Sequence, residues 1–177
     1  MKKIILFLKK KLYRVKGQTM NEAIRNVLTN LNYNYSTLKI DEEENIINLT
    51  INLKYGTVDS YIINNKAKKY IEVRNLCSIT IPELKRREIA EFIVRTNNLL
   101  TIGRFDLNME NGDLFFGAAN LYDDSLPQSE EVFNNILSFS YQIMEEYVPS
   151  VMNIIYTHTL AEKEIFKTNN KVDPSWN

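Results

Sequence analysis

The sequence predicts an α+β fold in which helices cover an antiparallel sheet. Three observations lead there. Apolar residues alternate over residues 46–53, where Ile47, Leu49, Ile51 and Leu53 face one way and Asn48, Thr50 and Asn52 the other, the period of a half-buried strand. Apolar residues recur at helical steps over residues 20–31 and again over 132–155, the pattern of helices with one apolar face. The strand-like runs follow one another through short turn signals, the order of a meander and not of alternating βαβ units. At 177 residues the chain suits one domain with its own core.

Residues 1–17 form a basic amphipathic arm. Lys2, Lys3, Lys9, Lys10, Lys11, Arg14 and Lys16 are unaccompanied by any acid over residues 1–16, while Ile5, Leu8, Leu12 and Val15 make one apolar stripe. The whole chain is formally neutral with 22 basic and 22 acidic residues, so the rest of it is net acidic. Two fates compete for the arm. It docks on its own acidic domain with its lysines reaching water, or it lies on an anionic membrane or a partner. Self-docking is expected, with weak membrane contact; Lys9, Lys10, Lys11 and Arg14 are the candidate membrane or partner contacts. The apolar run at 4–8 is too short to span a bilayer or to serve as a signal-peptide core.

The domain proper is expected over residues 18–167. Thr19-Met20-Asn21-Glu22 is a capping box, and Met20, Ala23, Ile24, Val27, Leu28 and Leu31 form the face of a core helix that Asn30-Leu31-Asn32 breaks. Residues 33–77 read as a meander. Tyr35, Thr37 and Leu38 suggest a short strand, and residues 41–45 a solvated acidic turn that lacks the ligand spacing and glycine of a calcium loop. After the alternating run comes a turn at Tyr55-Gly56-Thr57. Val58, Tyr61 and Ile63 continue the sheet, Asn64-Asn65-Lys66 turns it, and Tyr70, Ile71, Val73 and Leu76 return. Tyr and Asn on the outer face read as ordinary solvent-facing residues, with a recognition surface as the alternative.

The centre of the pattern is residues 80–117. Thr80-Ile81-Pro82-Glu83 reads as a second capping box with proline in the first turn. Ile89, Phe92, Ile93 and Thr96 form the helix's apolar face, and Asn97-Asn98 suit a left-handed C-terminus. A hairpin follows, with Phe105, Leu107 and Met109 on one face, a two-residue turn at Asn111-Gly112, and Leu114 and Phe116 returning. Ser125 and Gln128, with Pro127 between them, suggest a cap for a long helix. Its apolar rows are Val132, Ile136, Phe139, Ile143, Tyr147 and Phe133, Leu137, Met144, with Pro149 ending or kinking it. Val151, Met152, Ile154 and Ile155 resume the pattern, residues 159–162 start a last helix, and residues 168–177, with Trp176, form a polar tail.

Several of these features, Pro82, Asn97-Asn98, Gly103-Arg104-Phe105, Glu110-Asn111-Gly112-Asp113 and Tyr147-Val148-Pro149, resemble the bacterial YbjN family of sensory transduction regulators over roughly residues 19–166. The resemblance implies an α+β arrangement similar to type III secretion chaperones. It carries no catalytic signature.

Chemistry is sparse. His158 is the one histidine and Cys77 the one cysteine, too few for a zinc site, and a single cysteine forms no internal disulfide and suits a cytoplasmic setting. Cys77 and His158 as a nucleophilic pair are set against a buried structural thiol, which the strand-end position favours. Five scattered glycines exclude a phosphate-cradling loop of the usual pattern, and no Gly-x-Ser-x-Gly elbow is present. Asp123-Asp124, Glu130-Glu131 and Glu145-Glu146 are adjacent carboxylates, which point apart on a helix. Gly103-Arg104-Phe105 is superficially similar to an RNA-platform strand, but an acidic domain disfavours phosphate binding. The expectation is a non-enzymatic protein-interaction module, regulatory or chaperone-like, without cofactor, metal or catalytic residue. Its partner is another protein and not a nucleic acid, and its state monomer or homodimer. The alternative is a membrane-peripheral adaptor recruited through the basic arm.

Overall fold

The computed structural model describes residues 19–123, 129–157 and 159–169. The elements run α1 (Met20–Asn30), β1 (Ser36–Ile40), β2 (Glu44–Leu53), β3 (Gly56–Asn65), β4 (Tyr70–Cys77), a 3₁₀ turn (Glu83–Lys85), α2 (Arg86–Asn97), β5 (Arg104–Leu107), β6 (Leu114–Leu121), α3 (Glu130–Tyr156) and α4 (Ala161–Asn169). The six strands form one antiparallel sheet in the order β1-β2-β3-β4-β6-β5. The expected α+β class holds: the helices cover one face of this sheet.

Register places the sheet's residues in rows that cross the strands. On the inner face, Ile47, Ile62, Val73 and Ala118 form one row. The next runs Leu49, Ser60, Asn75, Phe116 and Phe105. Apart from Ser60 and Asn75, these are buried apolar residues. One cluster packs α1, through Met20, Ile24, Val27 and Leu28, and the start of α3, through Phe133 and Leu137, against β2, β3 and β4. The other packs α2, the later turns of α3 and Ala161 against Phe105, Leu114 and Phe116. Burial of this order is the main force holding such a layer, at about 1.5–3 kcal/mol per large apolar side chain.

Local devices shape the elements. Thr19 caps α1: its hydroxyl accepts the Glu22 N–H at 3.3 Å, and the Glu22 carboxylate accepts the Thr19 N–H at 2.7 Å. Thr80 does not cap the second helix. The chain enters through a 3₁₀ turn that begins after Pro82, with no side-chain cap, and the Ile81 N–H donates to the Gly112 carbonyl at 2.8 Å. Arg86 secures this start instead, donating to the carbonyls of Ile81, Met109 and Glu110 at 3.2, 3.0 and 2.9 Å.

The hairpin turn also differs from expectation. Residues 108–113 form a longer loop in which Asn108 N–H donates to the Asp113 carbonyl at 2.9 Å and Gly112 N–H to the Asn108 carbonyl at 2.8 Å. Only Gly112 has positive φ, +84°, so this is not the two-residue turn with two left-handed residues. The Asn108 side chain fills the extra space by accepting from the Glu110 and Asn111 N–H groups, an Asx turn. Met109 is consequently exposed and not part of the strand.

Faces shift in β3 and β4. Tyr61, Ile63 and Leu76 point away from the helices, while Ile62, Cys77 and the polar Ser60 and Asn75 occupy the inner positions. The turns fall at Lys54-Tyr55, where Leu53 pairs Gly56, and at residues 66–69, where Asn65 pairs Tyr70.

Helix α3 starts at Glu130 behind Ser129, whose hydroxyl accepts the Val132 N–H; residues 125–128 lie outside the described residues. It runs through Pro149 without ending. Proline forfeits one backbone hydrogen bond, but Tyr147, Val148, Val151, Ile154 and Ile155 are buried on both sides of it and hold the helix together. Val132 is exposed, and the buried row is Phe133, Leu137, Tyr141, Met144 and Val148. Helix α4 continues to Asn169, into the stretch expected as tail.

Candidate functional site

Among the described residues, the sheet has helices on one side only. Its outer face carries four cross-strand rows: Glu44, Asn65, Tyr70 and Leu121; Ile46, Ile63, Glu72 and Ala119; Asn48, Tyr61, Arg74, Gly117 and Arg104; Thr50, Asp59, Leu76, Phe115 and Asp106. None of these residues belongs to either buried cluster, so no described element packs on them. The face is amphipathic. Ile46, Tyr61, Ile63, Leu76 and Phe115 are half-buried among polar neighbours.

A groove of about 490 Å³ opens over β4, β6 and β5. Its floor is Gly117 and Ala119 of β6; Tyr70, Glu72 and Arg74 form one wall and Gly103, Arg104 and Asp106 the other, with Leu121 at one end. Two features make it. The small residues on β6 leave the lane between Arg74 and Arg104 empty, since Gly117 pairs with both. Also, β5 covers β6 only over residues 114–117 while β4 continues to Leu121, so the β6 backbone beyond Gly117 lacks a strand on its β5 side.

Gly103 is the cause of that early end. Its φ is +74°, and a Cβ there would stand 2.6 Å from Phe116 Cζ and 2.7 Å from the Gly117 carbonyl oxygen. Only glycine lets the chain turn into β5 this close to β6. The corner is fixed by Asn97, the last residue of α2. Its side-chain amide donates to the Phe105 carbonyl at 2.9 Å and accepts the Phe105 N–H at 2.8 Å, taking the place of a strand partner. Asn97 and Asn98 thus do not serve as left-handed caps; Asn98 has φ −69°. Beneath the groove Phe105 packs against Phe116 at 5.0 Å and Tyr147 at 5.8 Å between ring centroids, giving it a rigid floor.

The groove's charges are arranged in pairs along each strand. Arg74 holds Glu72 at 2.8 Å and Arg104 holds Asp106 at 3.2 Å. Residues two apart on a strand share a face, so both pairs project into the same opening. The lining is balanced in charge, which suits a mixed polar and apolar protein surface better than a polyanion.

The chemistry-bearing residues singled out by sequence lie elsewhere. Cys77 is buried and free, and burial pushes its thiol pKa up, the opposite of an activated nucleophile. The space beside it measures about 10 Å³, room for one water at most. His158 lies outside the described residues, as do Lys9, Lys10, Lys11, Arg14 and Trp176. Among the described residues no three His, Cys, Asp or Glu side chains gather as metal ligands, and no helix is long and apolar enough to cross a membrane. The carboxylates act structurally. Glu130 accepts from Asn26 and Glu145 accepts the Lys54 N–H.

A buried polar group, not foreseen, interrupts the core. Ser60 Oγ lies 2.8 Å from Asn75 Oδ1 with both residues fully buried. Asn75 Nδ2 and the Tyr141 hydroxyl, which faces Ser60, have no hydrogen bond of good geometry; burial raises the Tyr141 pKa, with Ser60 opposing the shift. Tyr147 is likewise pushed up to about 12 by burial first and by Glu146 second.

Fold and open face together define a class: an α+β protein whose antiparallel sheet is covered on one side. The fold is YbjN-like. The chain superimposes on the crystal structure of YbjN from E. coli, described as a candidate transcription regulator, with a TM-score of 0.51 and 13% identity, covering 74% of this chain and 93% of that one. At this identity the likeness is one of fold. No protein-family model matches the chain, and no curated protein matches it in sequence.

Proposed function

We propose that this chain is a non-enzymatic protein-interaction module, regulatory or chaperone-like, that receives another protein on the open outer face of its sheet. One observation carries the reading: the groove over Gly117 and Ala119, walled by two Arg–carboxylate pairs and bounded by an unpaired stretch of β6. Such an edge offers backbone hydrogen bonds to an extended segment, and the flanking side chains select among segments. The mix of tyrosine, arginine and aliphatic residues matches the composition of protein interfaces. The regulatory description of the fold neighbour supports the same reading.

The test is affinity capture of partners by the full chain, compared with Ala119→Trp, which fills the groove from an exposed position, and Leu84→Ser, which changes a side chain 97% exposed near α2. Partners lost with Ala119→Trp and kept with Leu84→Ser support the proposal. Partners unaffected by Ala119→Trp, or lost only with Leu84→Ser, contradict it.

A further inference from the structure

Among the described residues, the helical layer on the inner face stops one strand short. Every residue of β1 is exposed, although its register aims Thr37 and Ile40 to the helix-covered side, opposite Ile47 and Asn45. Both of those partners are buried. Around this uncovered strip stand Leu31, Tyr35, Leu38 and Ile40, exposed by 46, 38, 59 and 64%. Exposed apolar residues are ordinary when scattered, but four of them between residues 31 and 40, on an edge strand and the chain leading into it, mark a docking surface. α1 fills the neighbouring position in the layer, with α3 on its far side through Asn26 and Glu130.

We infer that residues 4–15 are the missing helix, lying antiparallel to α1 over the inner side of β1. The occupant follows from four facts. The segment immediately precedes α1, and residues 16–18 between them, with Gly17, are the right length for a helix–helix hairpin, about 2–5 residues. Its stripe of Ile5, Leu8, Leu12 and Val15 supplies the apolar face that the strip lacks. Twelve helical residues span about 18 Å, close to the roughly 17 Å of a five-residue strand. Charge fixes the orientation. The start of α1 lies at the end of the sheet marked by Asn64 and Asn45, because Asn21 accepts from Asn64 at 2.7 Å and Asn64 pairs Asn45. The acidic turn of Asp41, Glu42, Glu43 and Glu44 stands at that same end. An antiparallel helix brings Arg14 and Lys16 there, basic groups at a helix C-terminus, where the helix dipole favours them. This inference is independent of the outer-face proposal and leaves that face open.

The experiment places a nitroxide at Lys10→Cys in the full-length ¹⁵N-labelled chain; Lys10 is opposite the apolar stripe at 100° per residue, and Cys77 is buried. The expected result is paramagnetic broadening of the Leu31, Tyr35, Leu38 and Ile40 amides, with Gly117 and Ala119 spared. Leu8→Asp with Leu12→Asp in the same labelled chain abolishes the broadening while the remaining spectrum stays dispersed. Vesicles of phosphatidylcholine and phosphatidylserine leave it in place at physiological salt. Broadening centred on Gly117 and Ala119, no localised broadening, persistence in the double variant, or release by the vesicles each overturns the inference.

Discussion

Replacing Asn97 with alanine tests whether the corner that shapes the groove is built as described. Asn97 makes two hydrogen bonds to the Phe105 backbone, at 2.9 and 2.8 Å. Its loss leaves an N–H and a C=O unpaired beside Phe105, whose side chain is 2% exposed. Each lost bond costs about 1 kcal/mol net, and a buried polar group left unpaired costs about 1–3 kcal/mol. Because Asn97 is half-buried and water reaches part of the gap, the lower half applies, and Asn97→Ala should lose about 2–3 kcal/mol. In a domain of this size that lowers Tm by roughly 5–10 °C. Urea unfolding of both proteins, with equal m-values, measures it. Asn97→Asp supplies the control. At neutral pH the carboxylate still accepts the Phe105 N–H but opposes the Phe105 carbonyl, and protonation restores a donor. Its folded pKa is therefore raised, so the variant gains on wild type as pH falls through the folded pKa. An Asn97→Ala stability within about 0.5 kcal/mol of wild type, the range of neutral surface changes, would refute the clamp.

Further outcomes follow from other local devices. Gly112→Ala should destabilise by at least ~1 kcal/mol from the left-handed backbone alone, and more because a Cβ there would overlap the Ile81 carbonyl oxygen; thermal melts check this. Thr19→Ala should cost about 1 kcal/mol through loss of the reciprocal cap, with amide exchange quickening first at Glu22 and Ala23. Asp41 has its pKa lowered by the Glu44 N–H first and then by Lys39 and the Glu43 N–H. Its contribution is thus present above the ordinary aspartate range and lost as pH falls through the depressed folded value. Amide exchange in the β1–β2 turn at acid pH should show that loosening, and Asp41→Ala should abolish its pH dependence.

Much of the fold was legible because it rests on local codes. The Thr19–Glu22 box, the alternation of Ile47, Leu49 and Ile51, and the helical spacing of Ile89, Phe92, Ile93 and Thr96 each act over a few residues, and each appears where the pattern put it. What failed depends on distant partners. Thr80 is no cap because the helix starts later, behind Pro82, where Arg86 ties the chain to the carbonyls of Ile81, Met109 and Glu110. Asn97 is no left-handed residue because Phe105 uses its amide. Ser60 and Asn75 turn a polar pair inward where period alone would put polar residues outside, and Tyr61 and Ile63 point outward as a result. Pro149 does not stop α3 because burial on both sides outweighs one hydrogen bond. The groove was hidden for the same reason. Tyr70, Arg74, Arg104 and Leu121 meet only through register, and the one sequence trace of it was the run of small residues Gly117, Ala118 and Ala119 in a strand, where glycine signals a close approach or an open lane.

The central claim, that the outer face of the sheet receives the partner, is tested most directly by photo-crosslinking in living cells. A benzophenone amino acid is placed at Ala119 in the groove floor and, separately, at Leu84 on the helix side. The account predicts a discrete crosslinked product from position 119, weakened by Arg104→Glu, and none from position 84. A product from position 84 alone, or none from position 119 in cells where the chain is functional, would contradict it.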